Sequence, residues 1–382
     1  MTHPTGYYPR IARGVHSYPV DESVPASERL GLGVVGLHEG RTALLAALRT
    51  TRVRPVVGCD LDPETCNSVA KDLPEVMFTT SYAELLNNPA VDIVGIYTPD
   101  PVHGEQIIAA FEAGKDVVCT KPVVNDFEIA QQVLAAGRRT GRKLFVGQSS
   151  RFFESLRRQR RAFERGEIGP IEVVETQYTH RMDWYYNGRP WIAAKSDWVF
   201  LGLSHPLDLL RWYLGPIETV SAVGTHSALA RENGCTSFDI YSVHAVSTSG
   251  KIGRAFGHYG AHELPRARNS IECLLYGTHG TSLAKYHDME YSYVGEDGVE
   301  RVEDMLYEYR HYHFNNEVHG MHYGEFANYL QYFADALHTG TDYSPNLNEG
   351  LETLCIMEAV RRSALGGGQP VAVQPLMDEL GL

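Results

Sequence analysis

A lysine that ends an apolar run and precedes a proline is placed for proton-transfer chemistry, and Lys121 in the segment CTKP is such a residue. Proline fixes its own φ and disfavours helix in the residue before it. The sequence therefore predicts an extended Lys121 at the carboxyl edge of a sheet, where open α/β sheets bind ligands. Taken alone, the tetrapeptide is more typical of a surface lysine in a strand-to-helix loop, and the neighbouring motifs reverse that interpretation.

A nucleotide-binding turn is predicted at the segment GLHEGR, which starts at Gly36, follows an apolar run and opens a helical pattern. It occupies the place of the G-x-G-x-x-G fingerprint but matches it imperfectly. His38 stands at the second glycine position and Arg41 at the third, while Gly40 supplies a glycine one residue early. Gly31 and Gly33 lie inside the strand and are not expected to take part.

Asp60 supports the nucleotide site, because it ends the second predicted strand 24 residues after Gly36. A carboxylate about 20 residues after the first glycine bonds the ribose 2′-hydroxyl and repels a 2′-phosphate. Leu61 follows it, so the sequence predicts NAD as the cofactor. Thr98 and Pro99 follow the strand 91–97 and are expected to line the same cleft. A helix cap or a solvated acid is the alternative for Asp60.

Aromatic and polar side chains cluster after the first long strand of the second half of the chain. Sugars stack a C–H face on aromatic rings while polar groups bind the hydroxyls, so this density suits a glycoside, including one with an aromatic aglycone. An aromatic core or a dimer contact is an equally weighted alternative. The cluster consists of Tyr178, His180, Arg181, Trp184, Tyr185, Tyr186 and Trp191.

Alternating apolar runs and helical stretches between residues 30 and 148 predict the elements that position these groups. Strands that alternate with helices indicate a doubly wound parallel sheet, and hence a Rossmann domain at 30–148. After Gln148 several strands of period two follow one another, which indicates a second domain with an antiparallel sheet at 149–382. Residues 1–29 have no period and are interpreted as an N-terminal extension.

Composition excludes several classes of protein. A chain of 382 residues is long enough for two domains, and its net charge of −13 argues against nucleic acid or an anionic membrane as partner. The six cysteines form no CxxC pair, which indicates buried thiols in a reducing compartment. The N-terminus shows no secretory signal, and no apolar run approaches 18 residues, so we expect a cytoplasmic protein.

A metal site is not expected, although the chain has 17 histidines. His311, His313, His319 and His322 lie in a histidine-rich stretch, but their spacing is not diagnostic of metal ligands. The basic run at 157–161 is interpreted as the solvated face of a helix.

The ordered set of motifs resembles one family. Gly36, Asp60, the segment TPD…H that ends at His103, the segment KP at Lys121, SRF at residues 150–152 and HPLD at His205 appear in the order typical of the glucose–fructose oxidoreductase, inositol dehydrogenase and MocA (Gfo/Idh/MocA) proteins. The resemblance covers about residues 30–375. It implies a Rossmann domain followed by an α+β domain with a large, open, mostly antiparallel sheet, through which we expect homo-oligomers to form. It also implies NAD(P)-dependent oxidation or reduction of a carbinol carbon in sugars, cyclitols or glycosides.

The resemblance also implies residue roles. Lys121 corresponds to the lysine of the family's Glu-Lys-Pro motif, a proton-relay residue near the nicotinamide, and His205 to its catalytic histidine. Histidine suits the removal of a hydroxyl proton during hydride transfer because its ordinary pKa is near neutral. Arg151, in the family's interdomain motif, is expected to reach the substrate. The cofactor-binding residues are expected to be Gly36, His38, Gly40, Asp60, Thr98, Pro99, His103, Lys121 and Gln148.

Two departures from the family pattern affect the chemistry. Thr120 replaces the glutamate before the lysine, and Leu201 stands where the family has an aspartate four residues before its histidine. Asp197 and Asp183 are the candidate substitutes. Three hypotheses follow: a dehydrogenase, an enzyme that retains NAD and oxidises a ring carbon transiently for elimination or epimerisation, and a non-catalytic sugar- or nucleotide-sensing protein.

Overall fold

The computed structural model describes residues 24–48, 50–187, 193–194, 196–262, 269–286, 289–305 and 324–382. These residues form two compact units. The first consists of the described residues within Pro9–Phe152 and Arg310–Leu351, and the second of those within Phe153–Tyr309 and Glu352–Leu382. Most of the N-terminal extension, Trp191 and the histidine-rich stretch from His311 to His322 lie outside the described residues.

The first unit is built on a six-stranded parallel sheet of order β3-β2-β1-β4-β5-β6, which confirms the predicted doubly wound architecture. Its strands are β1 Leu30–Val35, β2 Val53–Cys59, β3 Met77–Thr79, β4 Ile93–Ile96, β5 Asp116–Thr120 and β6 Leu144–Gly147. Its helices are α1 Leu37–Ala47, α2 Pro63–Ala70, α3 Tyr82–Asn87, α4 His103–Glu112 and α5 Phe127–Thr140. Strand β3 has three residues, too few for a periodic signal, and sequence reasoning missed it.

Local signals explain where these helices begin and end. The side chain of Asp62 accepts bonds from two backbone N–H groups at the start of α2, and Asp126 does the same for one N–H of α5. At the end of α5, Gly141 adopts φ 67°, a left-handed conformation that glycine reaches without a steric penalty. The central strands are apolar on both faces, as parallel strands covered by helices must be.

A late helix, α11 (Glu325–Thr339), belongs to the first unit. Phe326, Tyr329 and Phe333 are buried in the same core cluster as β1 and α1. The ring of Tyr329 stacks on Phe145 of β6 with centroids 5.5 Å apart. The sequence predicts one continuous second domain at 149–382, and that boundary stays a prediction. By their contacts the described residues 324–351 group with the first unit, whose core includes the apolar face of α11.

The second unit contains a nine-stranded sheet of order β14-β13-β12-β11-β7-β10-β9-β8-β15. Pairing is antiparallel except between β7 and β10, which are parallel, so the predicted mostly antiparallel sheet is confirmed. The strands are β7 Ile171–His180, β8 Ile217–Thr225, β9 Ile240–Ser247, β10 Ile252–His258, β11 Asn269–Gly277, β12 Gly280–Lys285, β13 Glu290–Gly295, β14 Glu300–Asp304 and β15 Val371–Ala372. The helices are α6 Glu154–Glu164, α7 Asp183–Tyr186, α8 Trp198–Leu201, α9 Ser204–Leu214, α10 Ala228–Glu232, α12 Leu347–Leu365 and α13 Gln374–Leu380.

Other expectations concern the surface and the thiols. All six cysteines are free and buried. The basic run lies on α6, where Arg157 pairs with Glu154, Arg158 with Glu303 and Arg160 with Glu164. None of the helices described in the structure is both long and apolar enough to cross a membrane.

Candidate functional site

The turn between β1 and α1 requires glycine at two positions. Gly36 has φ 86°, and a Cβ built on it would lie 2.7 Å from the carbonyl carbon and oxygen of Tyr97. A Cβ on Gly40 would lie 2.5 Å from Cγ1 of Val34, so Gly40 allows α1 to pack closely on β1. Gly40 therefore does the packing work expected of the third glycine of the fingerprint, although it stands one residue early. His38 is exposed in the first turn of α1.

Asp60 follows β2 and braces this turn. Its Oδ2 accepts a hydrogen bond from the backbone N–H of Leu37 at 2.8 Å, and its Oδ1 accepts from the N–H of Asp62 at 3.1 Å. A carboxylate oxygen has further acceptor capacity, so both oxygens can still accept bonds from ribose hydroxyls. The next side chain, Leu61, is 91% exposed and carries no charge that would attract a 2′-phosphate.

These residues fit a dinucleotide. Gly36 lets the loop after β4 approach the turn closely, the first N–H groups of a helix have no acceptor within the helix and suit a pyrophosphate, and Asp60 suits the ribose. The fit covers Gly36, Gly40 and Asp60. His38 and Pro99 lie on the two loops concerned, and their contacts with a cofactor stay predictions.

Lys121 lies directly after β5, on the loop next to the one that follows β4. This is the carboxyl edge of the sheet, as predicted. Burial lowers the pKa of Lys121 to about 8, against the opposing effect of the Asp100 and Glu39 carboxylates, which favour the charged form. Thr120 provides no carboxylate next to Lys121, and Asp100 and Glu39 supply the negative charge near it instead. Sequence reasoning missed Glu39, whose only signal is its place in the first turn of α1.

The loop after β4 is held by α4. The Thr98 hydroxyl donates to Oε1 of Gln106 at 2.6 Å. The His103 ring is buried, with Nε2 2.8 Å from the carbonyl oxygen of Thr98 and Nδ1 2.9 Å from that of Pro122. Both ring nitrogens of His103 therefore have protein partners, and a direct contact with the cofactor stays an untested prediction that these bonds argue against.

Gln148 and Arg151 follow β6 and are both buried. Nη1 of Arg151 donates to Oγ of Ser344 at 2.8 Å and lies 3.4 Å from Oε1 of Glu349. This ion pair lies within the first unit and joins Arg151 to the first turn of α12, while Ser344 lies in the segment before that helix. A substrate contact by Arg151 stays a prediction, and the buried ion pair argues against it.

In the second unit, His205 lies in the first turn of α9 and is buried beside the end of β7. The ring of Tyr178 meets it edge-on with centroids 5.9 Å apart. Tyr178 is 6.3 Å from His180, and His180 is 6.1 Å from Trp184, whose side chain is 40% exposed. The structure therefore brings four of the sequence-predicted residues into one row of rings.

The candidate substitutes for the missing aspartate have other contacts. Asp197 caps α8, accepting from the N–H of Val199 at 2.9 Å, and the Tyr241 hydroxyl donates to it at 3.4 Å. Burial raises the pKa of Asp197 above its ordinary value. Asp183 pairs with Arg181 and accepts from the N–H of Trp184. These contacts give both carboxylates a structural task, and a role for either in proton transfer or substrate binding stays a prediction.

A buried aromatic stack behind this row was not foreseen. Trp198 and Tyr259 stack with centroids 4.9 Å apart, and Tyr259 meets Tyr178 edge-on at 5.5 Å. A Cβ on Gly202 would lie 2.0 Å from Cζ of Tyr259, so only glycine leaves room for that ring. Part of the aromatic cluster therefore forms core, as the alternative interpretation held. Among the described residues, no group of three His, Cys, Asp or Glu side chains could hold a metal ion.

Family models match both parts of the chain. Residues 30–148 match the model GFO_IDH_MocA, described as an oxidoreductase family with an NAD-binding Rossmann fold. Residues 160–373 match its partner model, the C-terminal alpha/beta domain of the same oxidoreductase family. The chain belongs to the Gfo/Idh/MocA oxidoreductase family. Its cofactor is accordingly NAD, as the fit at Gly36 and Asp60 predicts.

Curated relatives are 27% to 34% identical to this chain over the matched residues. A 1-carboxy-3-chloro-3,4-dihydroxycyclohexa-1,5-diene dehydrogenase of Comamonas testosteroni is 29% identical over 58% of this chain and 60% of its own length. An inositol 2-dehydrogenase of Rubrobacter xylanophilus is 27% identical, over 59% and 64%. A 1,5-anhydro-D-fructose reductase of Ensifer adhaerens is 34% identical, over 51% and 60%. The matches thus span less than two thirds of these relatives.

Solved structures share the fold over nearly the whole chain. A levoglucosan dehydrogenase in complex with NADH and levoglucosan has a TM-score of 0.77 at 21% identity, covering 90% of this chain and 99% of its own. An oxidoreductase from Agrobacterium radiobacter in complex with NAD+, L-tartaric acid and magnesium has a TM-score of 0.79 at 18% identity, covering 91% and 99%.

Proposed function

We propose that this family member is an NAD-dependent oxidoreductase that oxidises or reduces a ring hydroxyl of a sugar, cyclitol or glycoside, with Lys121 and His205 in proton transfer. The observation that carries the proposal is Lys121 itself. Its pKa is about 8, and it lies at the sheet edge that also carries the glycine turn and Asp60. The names of the relatives, an inositol dehydrogenase and an anhydrofructose reductase among them, support the class of substrate.

The first unit binds the cofactor in this proposal. The N–H groups at the start of α1 bind the pyrophosphate, and Asp60 binds the ribose hydroxyls and excludes a 2′-phosphate. NAD, when bound, accepts a hydride from the carbinol carbon or returns one to the carbonyl carbon.

The two titratable residues handle the proton. A ring nitrogen of His205 takes the hydroxyl proton during oxidation and returns it during reduction. Nζ of Lys121 donates a hydrogen bond to the same oxygen and stabilises the negative charge that develops on it. The ammonium form does this best, and the carboxylates of Asp100 and Glu39 favour that form.

The row of rings at the end of β7 supports the proposed substrate class. In the proposal Tyr178 and Trp184 present apolar faces to the C–H groups of a pyranose or cyclitol ring, while His180 bonds a hydroxyl. The exposed ring of Trp184 leaves room for a further substituent such as an aglycone.

A sugar and cyclitol panel tests the proposal and separates it from the alternatives. The purified protein is incubated with NAD and each compound, while the absorbance of NADH is recorded and products are analysed by mass spectrometry. Net NADH formation with a ketone product supports the dehydrogenase. A rearranged product without net NADH indicates the NAD-retaining alternative. Tight NAD binding with no product from any compound indicates the sensing alternative, which Thr120 and Leu201 favour.

We also propose that a second copy of the chain covers the outer face of the nine-stranded sheet. That face exposes four apolar side chains, Val223, Ile252, Phe256 and Val302, and large exposed apolar patches mark interaction surfaces. A Phe256→Asp, Val302→Asp double variant is expected to shift the molar mass measured by light scattering to that of one chain. An unchanged mass, or a parent protein that is already monomeric, would contradict this part of the proposal.

A further inference from the structure

Two loops at the carboxyl edge of the parallel sheet are joined by a buried histidine. One loop follows β4 and contains Thr98, and the other follows β5 and contains Lys121 and Pro122. His103 is 1% exposed and places one ring nitrogen on a carbonyl oxygen of each loop, at 2.8 Å and 2.9 Å. Both partners are carbonyl acceptors, so the ring donates through a nitrogen that carries a proton, and the tautomer decides which of the two oxygens accepts.

The same loops are joined a second time by side chains. Nδ2 of Asn125, four residues after Lys121, donates to Oδ2 of Asp100 at 2.7 Å. Asp100 is buried, and its carboxylate has the larger of the two charge effects on Lys121. Asn125 therefore holds the counter-charge of the lysine, while His103 holds the backbone next to it.

We propose that His103 and Asn125 are positioning residues, which together keep the ammonium of Lys121 and the carboxylate of Asp100 in one arrangement. The inference rests on the proposed proton-transfer role of Lys121. It assigns His103 a task other than cofactor contact, and it gives Asn125 a task for the first time. A displacement of about 1 Å in a catalytic group can cost about 100-fold in rate, which is the scale of effect that two loosened loops would produce.

The kinetic test compares His103→Phe, Asn125→Leu and the double variant with the parent protein. Each single variant is expected to lower kcat about 10- to 100-fold while the Kd of NADH, measured by fluorescence, changes less than about threefold. The double variant is expected to lose less than the product of the two single losses, because both bonds hold one pair of loops. His103→Gln keeps an amide donor and is expected to recover part of kcat, and it serves if His103→Phe does not fold.

The matched control is Tyr82→Phe. The Tyr82 hydroxyl donates to the backbone oxygen of Gln106 at 2.8 Å. Gln106 lies in α4, the helix that also contains His103. The variant therefore removes from α4 one hydrogen bond of similar length that does not involve the loop of Lys121. This variant is expected to lower Tm and to leave kcat unchanged. If the His103 and Asn125 variants behave like Tyr82→Phe, with lower Tm and parental kcat, both residues are merely structural and the proposal is overturned.

A second readout needs no turnover. Competitive acetylation with acetic anhydride over a pH series, read by mass spectrometry, gives the pKa of Lys121 in each variant. Opened loops admit water, so the pKa is expected to rise from about 8 towards the ordinary lysine value in the His103 and Asn125 variants and to stay in Tyr82→Phe. An unchanged pKa would overturn the positioning roles. A shifted pKa in a protein that turns over no sugar would support them while the proposed function fails.

Discussion

The surroundings of Lys121 in the first unit and of His205 in the second are built on different principles. The charge of Lys121 interacts with the carboxylates of Asp100 and Glu39, and short hydrogen bonds of His103 and Asn125 lie in the adjoining loops. Around His205 the neighbours are rings, in a row that runs from a buried tyrosine to an exposed tryptophan. The first arrangement positions a charged group, whereas the second forms an apolar surface of defined shape. Substitutions in the two regions should therefore fail in different ways.

The largest difference is expected from removing the two titratable groups. Lys121→Met and His205→Asn should each lower kcat about 1,000-fold, since a positioned acid, base or charge contributes on that scale. Stopped-flow measurement of NADH formation checks this with the best compound of the panel. A loss of less than tenfold in either variant would remove that residue from the mechanism.

Substitutions of two tryptophans near His205 should distinguish a core residue from a substrate-site residue. Trp198 is fully buried, stacks on Tyr259 and donates to the Tyr186 hydroxyl at 2.8 Å. Trp198→Ala is therefore expected to cost about 3–4 kcal/mol of unfolding free energy. Trp184→Ala should cost less than about 0.5 kcal/mol but raise KM for a glycoside several-fold. Urea unfolding measures the stability of both variants, and initial rates measure KM. A KM for Trp184→Ala equal to that of the parent protein would mean that this ring takes no part in substrate binding.

The stability of the protein should reveal the buried ammonium through its pH dependence. The folded pKa of Lys121 lies below its ordinary value, so the unfolded chain binds more protons between about pH 8 and the ordinary lysine pKa. Stability contributed by this group therefore rises with pH across that window. Lys121→Met should lack this rise and should be about 1–3 kcal/mol more stable than the parent at neutral pH. Urea unfolding at neutral and strongly alkaline pH checks the sign, with the exposed Lys71 replaced by methionine (Lys71→Met) as the surface control.

The smallest effect concerns the cofactor. Asp60→Asn removes the charge that repels a 2′-phosphate in the proposed function, but keeps an oxygen that can accept from the N–H of Leu37. The ratio of the Kd values for NADP and NAD is expected to fall by about tenfold, which is about 1.4 kcal/mol. Equal titrations of the parent and the variant would exclude Asp60 from cofactor choice.

Much of the fold was predictable because its signals are local. Apolar runs, caps such as Asp126 and the glycine at residue 36 mark the parallel sheet in the sequence itself. The grouping of residues 324–351 with the first unit was not predictable, because the sequence of a helix does not indicate which of two cores its apolar face packs against. Short edge strands such as β3 carry too few residues to show a period.

The candidate site was predictable to the extent that its residues belong to motifs. Lys121, Gly36 and Asp60 stand at motif positions, and the structure places them at the predicted edge of the sheet. Glu39 and Asn125 have no motif, and only folding brings their polar groups to Lys121 or its partner Asp100. Arg151 has the right type for a ligand contact, but the sequence could not show that Glu349 neutralises it.

The bond between Asp60 and the N–H of Leu37 constrains how this lineage could change its coenzyme. In the proposed function one carboxylate both braces the glycine turn and discriminates against a phosphorylated ribose. A replacement of Asp60 that has no acceptor oxygen would admit the phosphate and remove the brace in the same step, whereas asparagine keeps the acceptor. Coenzyme preference is therefore coupled to the turn, and only a residue that still accepts from the N–H of Leu37 can change one without the other.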